Sequence, residues 1–249
     1  MREELYTEIF NMEQQHWWFS ARHQIILHLL ERYLPTTGEA PAKIADLGCG
    51  CGMMLQRLSE KYDPIGLDGS RHAIEFASHR GVKTKFGALP EDVPLPRESY
   101  DAVLLLDVLE HLKYDRASVE VAASLLKPGG VLICTVPAHM WLWTKRDEHH
   151  HHFRRYSRRQ FRALFDQPYL RLELLSHLNA ILFAPAAAWR LLAKAFARNS
   201  VTDLSLPPFN SALRSIFAFE RWMLGNVPMP IGLSFISIAR KTENSPWNP

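Results

Sequence analysis

Three glycines at alternate positions, Gly48, Gly50 and Gly52, stand in "DLGCGCGMM" between two apolar runs, with Asp46 just ahead and Cys49 and Cys51 interleaved. These residue types support two chemistries. Thiols hold metals or cycle disulfides, whereas glycines clear backbone space for a ligand. The thiol reading is incomplete, because Cys49 and Cys51 have no second pair to close a zinc site. No metal or redox site is expected there, and both cysteines read as small loop-filling residues. The glycine reading is specific: G-x-G-x-G follows a strand-like run and precedes a helix-like one, where open parallel sheets bind ligands. A dinucleotide fingerprint needs glycine at position 53, where Met53 stands. Asp46 disfavours a pyrophosphate and favours a cation. Asp68 ends the next strand-like run, placed to bind both hydroxyls of a ribose. The ligand class is a positively charged nucleoside without a pyrophosphate.

A second group of candidates lies downstream. His111 in "DVLEHL" and the run His149 to His152 in "DEHHHHFRRYS" can accept protons at neutral pH. His111 reads either as a base or as a helix-start hydrogen-bonding residue. The four-histidine run offers either a base and acceptor contact or a solvated, loop-ordering segment. A metal there is not expected, since adjacent histidines point in different directions. Arg154, Arg155, Arg158, Arg159 and Arg162 suit carboxylate or phosphate partners, or form a charged helix start. A nucleic-acid surface is not expected from so little aromatic interleaving and a net charge of +3.

The elements that must position these groups follow from periodicity. Residues 3 to about 34 read as helical, with Ile25, Ile26, Leu29, Leu30 and Leu34 on one face, before Pro35, Gly38 and Pro41 break the pattern. From Lys43 onward, "KIADLG", "PIGLD", "VKTKFG", "YDAVLLLDVL" and "VLICTVP" read as strands alternating with helix-like segments, and "KPGG" reads as a tight turn leading into the fifth. That alternation predicts a mostly parallel sheet with helices on both faces. Ser157 and Gln160 form a capping box ahead of a helix. "YLRLELLSH" and "LSFISIARK" read as two late strands split by an apolar insertion, expected to cap the carboxyl edge of the sheet.

The 249 residues suffice for one domain with an attached cap, and 47% hydrophobic with 22% charged residues is ordinary for a globular chain. Three cysteines give no disulfide framework, and the charged opening lacks the apolar core of a secretion signal, so a cytoplasmic setting is expected. In the insertion, Trp189 and Phe196 beside Arg190, Lys194 and Arg198 would suit an interfacial membrane contact.

The segments "DLGCGCG", "GLDGS", "LPRESYDAVLLLDVLEHL" and "LLKPGGVLICTVP", in this order over residues 43 to 137, resemble the class I S-adenosylmethionine-dependent methyltransferases. "HWWFSAR" and "DEHHHHFRRYS" resemble a bacterial branch with H-W-W-F-x-x-R and D-E-x-x-G-H-x-R-R-Y segments, in which His151 stands for the glycine and His152 for the motif histidine. The resemblance implies a Rossmann-like α/β fold with seven strands in the order 3-2-1-4-5-7-6. It implies an N-terminal helical lid over residues 1–40, a methyltransferase domain over 41–249, and a cap insertion at about 179–230. By position it implies that Asp46, Gly48, Gly50 and Gly52 hold the methionine part of the cofactor and that Asp68 and Gly69 hold the ribose. Asp107 would face cofactor and acceptor. Ala88 stands where an adenine-binding acid is usual, which leaves Leu89 or backbone for that contact. Trp17, Trp18 and Phe19 read either as core residues or as a lid over the cofactor with Arg22 pairing its carboxylate, and the resemblance favours the lid.

The function expected is methyl transfer from S-adenosylmethionine to a small-molecule, glycan or lipid-like acceptor in secondary-metabolite or cell-surface biosynthesis, oxygen ahead of carbon or nitrogen. His111 and His152 are the expected bases, with Tyr156 also at the reacting centre and with Trp141, His149 and Arg155 as acceptor contacts. A non-catalytic cofactor-binding regulator and an NAD-dependent oxidoreductase are the alternatives.

Overall fold

Strands buried on both faces need apolar residues in both phases of the pleat, and β4 (Tyr100–Leu106) supplies them. Ala102, Leu104 and Leu106 join one core cluster, while Val103 and Leu105 join the other. In the computed structural model, which describes residues 3–34, 40–195 and 206–243, β4 is the centre of a seven-stranded sheet. The other strands are β1 (Lys43–Leu47), β2 (Asp63–Asp68), β3 (Thr84–Phe86), β5 (Leu126–Pro137), β6 (Leu170–Leu178) and β7 (Ser234–Lys241), and the order is β3-β2-β1-β4-β5-β7-β6. The first five run parallel, and β7 inserts antiparallel between β5 and β6. The order and the Rossmann-like class are those expected. The carboxyl ends of β1, β2 and β4 therefore meet at one edge, on both sides of the point where the strand order reverses.

One face is covered by α5 (Asp115–Leu125) and α7 (Arg158–Ala163), which begins on the expected Ser157–Gln160 capping box. The other is covered by α2 (Trp17–Tyr33) and α9 (Asn210–Met223). Ile25, Ile26, Leu29 and Leu30 of α2 are all fully buried, each worth about 1.5–3 kcal/mol relative to exposure. Helix α2 is thus core structure over that stretch.

The helical stretch expected over residues 3 to about 34 is divided into two helices. Helix α1 (Glu3–Met12) ends at a turn, and His16 caps α2 by accepting the Trp18 N–H at 3.3 Å. Glu13 in that turn pairs with Arg80 at 2.8 Å, and Arg80 also donates to the carbonyls of Phe10 at 3.1 Å and Cys51 at 2.9 Å. One half-buried arginine thereby ties α1 to the glycine loop, a long-range cause that periodicity does not carry. The "KPGG" turn lies inside β5, where the pairing with β4 shifts register between Tyr100 and Ala102.

The insertion between β6 and β7 divides its roles. Helix α8 (Phe183–Ala195) meets the short turn Met140–Leu142 after β5, where Leu142, Phe183 and Ala187 pack together near the carboxyl edge. Helix α9 instead packs on α2 over a sheet face. Phe196 and Arg198 lie outside the described residues.

Candidate active site

The loop after β1 passes the turn after β4 with room for a glycine only. Gly48 has φ of 78°, and a Cβ added there would lie 2.5 Å from Val108 Cγ2. Gly50 is open, with no atom within 4 Å of where its Cβ would be. Gly52 starts α3 (Met53–Leu58). Asp68 is held in orientation at the end of β2: the Gly50 N–H donates to its Oδ2 at 2.9 Å and the Ser70 N–H to its Oδ1 at 2.8 Å. Burial raises its pKa, and those two N–H bonds work against the rise. Between the loops lies a cavity of about 170 Å³ lined by Gly48, Asp68, Gly69, Leu89 and Val108 among others. Apolar walls with one oriented carboxylate suit a nucleoside.

Asp46 is 2% exposed at the carboxyl end of β1. Burial pushes its pKa up to about 7, Arg22 pulling down and Asp68 pushing up. Arg22 pairs with Asp107 and lies 4.4 Å from the Trp18 ring centroid, and its Nε is buried without a partner. An orphaned guanidinium N–H beside the glycine loop fits a ligand carboxylate. The residues present therefore fit S-adenosylmethionine at both ends: a donor for the amino-acid part and a carboxylate-marked apolar slot for the nucleoside. Cys49 and Cys51 are buried, and burial raises both thiol pKa values, that of Cys51 to about 12.

The turn after β4 carries the second group. Val108 and Leu112, which line the cavity, bracket the 3-10 turn Leu109–His111. Beyond β5, Thr144 and Asp147 form a capping box on α6 (Lys145–His149), and the chain then folds back so that the Phe153 N–H donates to the Glu110 carbonyl at 2.7 Å. This latch brings the His152 ring 4.5 Å from that of His111, edge to face at 88°. His152 Nδ1 lies 3.0 Å from Asp147 Oδ1, which also accepts from Arg155 Nε at 2.7 Å. Burial alone would raise the Asp147 pKa, but the His152 hydrogen bond and the Arg155 charge hold it well below the usual carboxylate range. Burial, reinforced by the neighbouring His152, pushes His111 down to about 3, so its imidazole is neutral. Glu110 is 1% exposed, and burial with the nearby Asp107 raises its pKa.

Two residues expected on the acceptor side are engaged within the chain. Tyr156 is 2% exposed, and its hydroxyl donates to Asp115 Oδ2 at 2.8 Å, with the Leu109 carbonyl 3.2 Å away. Burial followed by that carboxylate raises its pKa far above the ordinary value, and the bond ties Tyr156 to the turn after β4. Arg155 is spent on Asp147 and on the Ala138 carbonyl at 3.2 Å. His149 stays partly exposed, its ring 6.2 Å from His150. Trp141 is 49% exposed on the loop after β5, 6.1 Å from Phe183. Arg190, expected on an exposed basic stripe, is turned inward: burial, then Arg155, lowers its pKa to about 10, and its Nη1 has no partner.

Sequence reasoning passed over Glu110 and Asp147. Glu110 was visible as the neighbour of His111, and Thr144-x-x-Asp147 has capping-box spacing. Their meeting depends on the fold-back after α6, which leaves no local signal.

Comparison with known proteins bears on the family and the fold. Residues 18–173 match a family described as a methyltransferase domain, Methyltransf_23, over more than half of the chain. A ubiquinone biosynthesis O-methyltransferase of Ralstonia nicotianae is 28% identical over 135 residues, 49% of this chain and 57% of its own length. Only about half of that relative is therefore spanned. Among solved structures, a complex between the Haloferax volcanii Trm112 methyltransferase activator and a methyltransferase contains a chain with TM-score 0.63 and 19% identity, covering 97% of this chain and 96% of that one. A SAM-dependent methyltransferase from Thermotoga maritima gives TM-score 0.60 and 16% identity, with 96% of each chain covered. The chain belongs to the methyltransferase-domain family and shares the Rossmann-like fold of these solved methyltransferases.

Proposed function

We propose that the protein methylates a hydroxyl oxygen of a small-molecule, glycan or lipid-like acceptor in a biosynthetic pathway. One observation carries the reading. His152, oriented by Asp147, stands against His111 on the turn that lines the nucleoside cavity. A histidine held by a carboxylate is the arrangement that draws a proton from a hydroxyl. The relative named for O-methylation in ubiquinone biosynthesis supports oxygen over carbon or nitrogen.

Bound S-adenosylmethionine supplies an electrophilic methyl on a sulfonium. The chain's part is alignment and charge. Asp68 takes the ribose hydroxyls, Leu89 packs the base, and Arg22 meets the carboxylate through its free Nε. Asp46 and Asp107, near Arg22 at the carboxyl ends of β1 and β4, would supply negative charge to favour a sulfonium. Holding nucleophile and methyl in line would supply much of the acceleration. A lipid-like acceptor would explain the large apolar side chains left bare on the insertion. Trp189, Leu192, Phe219 and Trp222 are each more than half exposed.

Incubating the protein with trideuteromethyl-labelled cofactor and a panel of phenols, polyprenyl phenols and glycan precursors tests the reading by mass spectrometry. An acid-stable, oxygen-linked labelled product is expected. A product methylated on carbon or nitrogen contradicts the oxygen assignment, and cofactor binding without any product favours the regulatory alternative.

A further inference from the structure

Glu110, His111 and His152 each present one donor atom, and these three atoms lie within 4.8 Å of one another. The histidine run alone looked unfit for a metal, because its members diverge. The fold resolves this by taking one member, His152, and setting it against a Glu–His pair 41 residues earlier in the chain.

Three details mark the cluster as built to hold something. The Glu110 Oε2 atom is buried without a hydrogen-bond partner, although two imidazoles stand beside it. A network made only of hydrogen bonds would have used that oxygen. His152 spends its Nδ1 on Asp147, which leaves its Nε2 for the cluster. Carboxylate–histidine pairing of this kind orients metal-ligating imidazoles and increases their basicity as ligands. Asp147 is in turn fixed by Arg155 at 2.7 Å and by the Thr144 N–H at 2.9 Å, so the support extends outward from the ring. The nearby positive charges are already offset, Arg155 by Asp147 and Arg22 by Asp107.

We propose that Glu110, His111 and His152 form a binding site for a divalent first-row transition cation. Two imidazoles and one carboxylate suit borderline ions such as Zn²⁺, Mn²⁺ or Co²⁺, better than Mg²⁺ or Ca²⁺, which favour all-oxygen sets. Three ligands from the chain leave positions for oxygens of the acceptor, beside the cavity that Val108 and Leu112 line. This part rests on the methyl-transfer reading above and refines it: the contact between the acceptor and His152 runs through the ion.

The test is calorimetric titration of chelator-treated protein with Zn²⁺, and with Co²⁺ followed by its visible absorption. A single saturable site is expected. Asp147→Asn should weaken it about 10- to 100-fold, the usual effect of losing a ligand's supporting carboxylate. Glu110→Gln and His111→Ala should weaken it further. His149→Ala should leave it unchanged, which separates the site from adventitious binding by the histidine run. Calorimetry with S-adenosylmethionine on each variant confirms that the protein is folded. Binding insensitive to Glu110→Gln and His111→Ala, or no saturable binding at all, overturns the proposal. Methyl transfer that persists at full rate in a chelator would also overturn it, while leaving the O-methylation reading intact with His152 acting directly.

Discussion

Asp46 shows how burial at a single position couples cofactor binding to pH. In the ligand-free protein burial holds its carboxyl at a pKa of about 7, against 3.8 for an ordinary aspartate. A sulfonium ligand favours the ionised form, so binding must release a proton wherever the free protein holds Asp46 protonated. Affinity for S-adenosylmethionine should therefore fall as pH drops below about 7, approaching tenfold per unit as the limit for one proton. Calorimetry between pH 5.5 and about 8 should show this slope, and Asp46→Asn should flatten it. A wild-type slope that survives the substitution would assign the proton elsewhere. The identity of this site was legible because Gly48, Gly50, Gly52, Asp46 and Asp68 are local in sequence, on either side of two strands. Glu110 and Asp147 were not, because their meaning depends on a contact with His152 made by the chain folding back.

Element boundaries followed the same division. Strands β1, β2 and β4 were legible because each is a short apolar run bounded by turn residues, and Ser157–Gln160 announced α7. The break at Glu13–His16 was not, since Arg80 from α4 (Arg71–His79) and its loop imposes it from outside the helix. Glu220 on α9 is a comparable long-range tie. Its side chain is fully buried, and its oxygens accept the Asn179 N–H at 2.7 Å and the Ile181 N–H at 2.9 Å, joining α9 to the end of β6. Glu220→Ala leaves those donors unpaired in the interior and should destabilise the protein by about 2–4 kcal/mol, measured by urea denaturation. Glu220→Gln retains one acceptor and should cost less. Equal stabilities for all three forms would mean that α9 is anchored only by its apolar contacts with α2.

At the scale of the molecule, a mostly parallel sheet was readable from the alternation of strands and helices and the late hairpin from its two alternating runs, whereas the strand order followed from the resemblance to class I methyltransferases. The insertion was harder, because apolar composition alone does not say whether a helix covers a face or an edge. Helix α9 does the first and α8 the second. No described helix is long and apolar enough to cross a membrane. The outward Trp189, Leu192, Phe219 and Trp222 nevertheless give α8 and α9 the bulky apolar side chains of interfacial helices, with Arg214 and Arg221 on α9. Co-sedimentation with vesicles containing anionic lipid should exceed that with neutral vesicles, and Trp189→Ser with Trp222→Ser should reduce it severalfold. No vesicle binding of either kind would remove the membrane from the account and leave a freely diffusing acceptor.

The central claim is that the carboxyl-edge cavity holds the cofactor while the histidine turn serves the acceptor. Calorimetry of S-adenosylmethionine binding to the wild type, Asp68→Ala and His152→Ala tests it most directly. The account predicts that Asp68→Ala loses about 1.5–3 kcal/mol of binding, the worth of hydrogen bonds to a charged group, while His152→Ala binds as the wild type does. Undiminished binding by Asp68→Ala, or a comparable loss in His152→Ala, would contradict it.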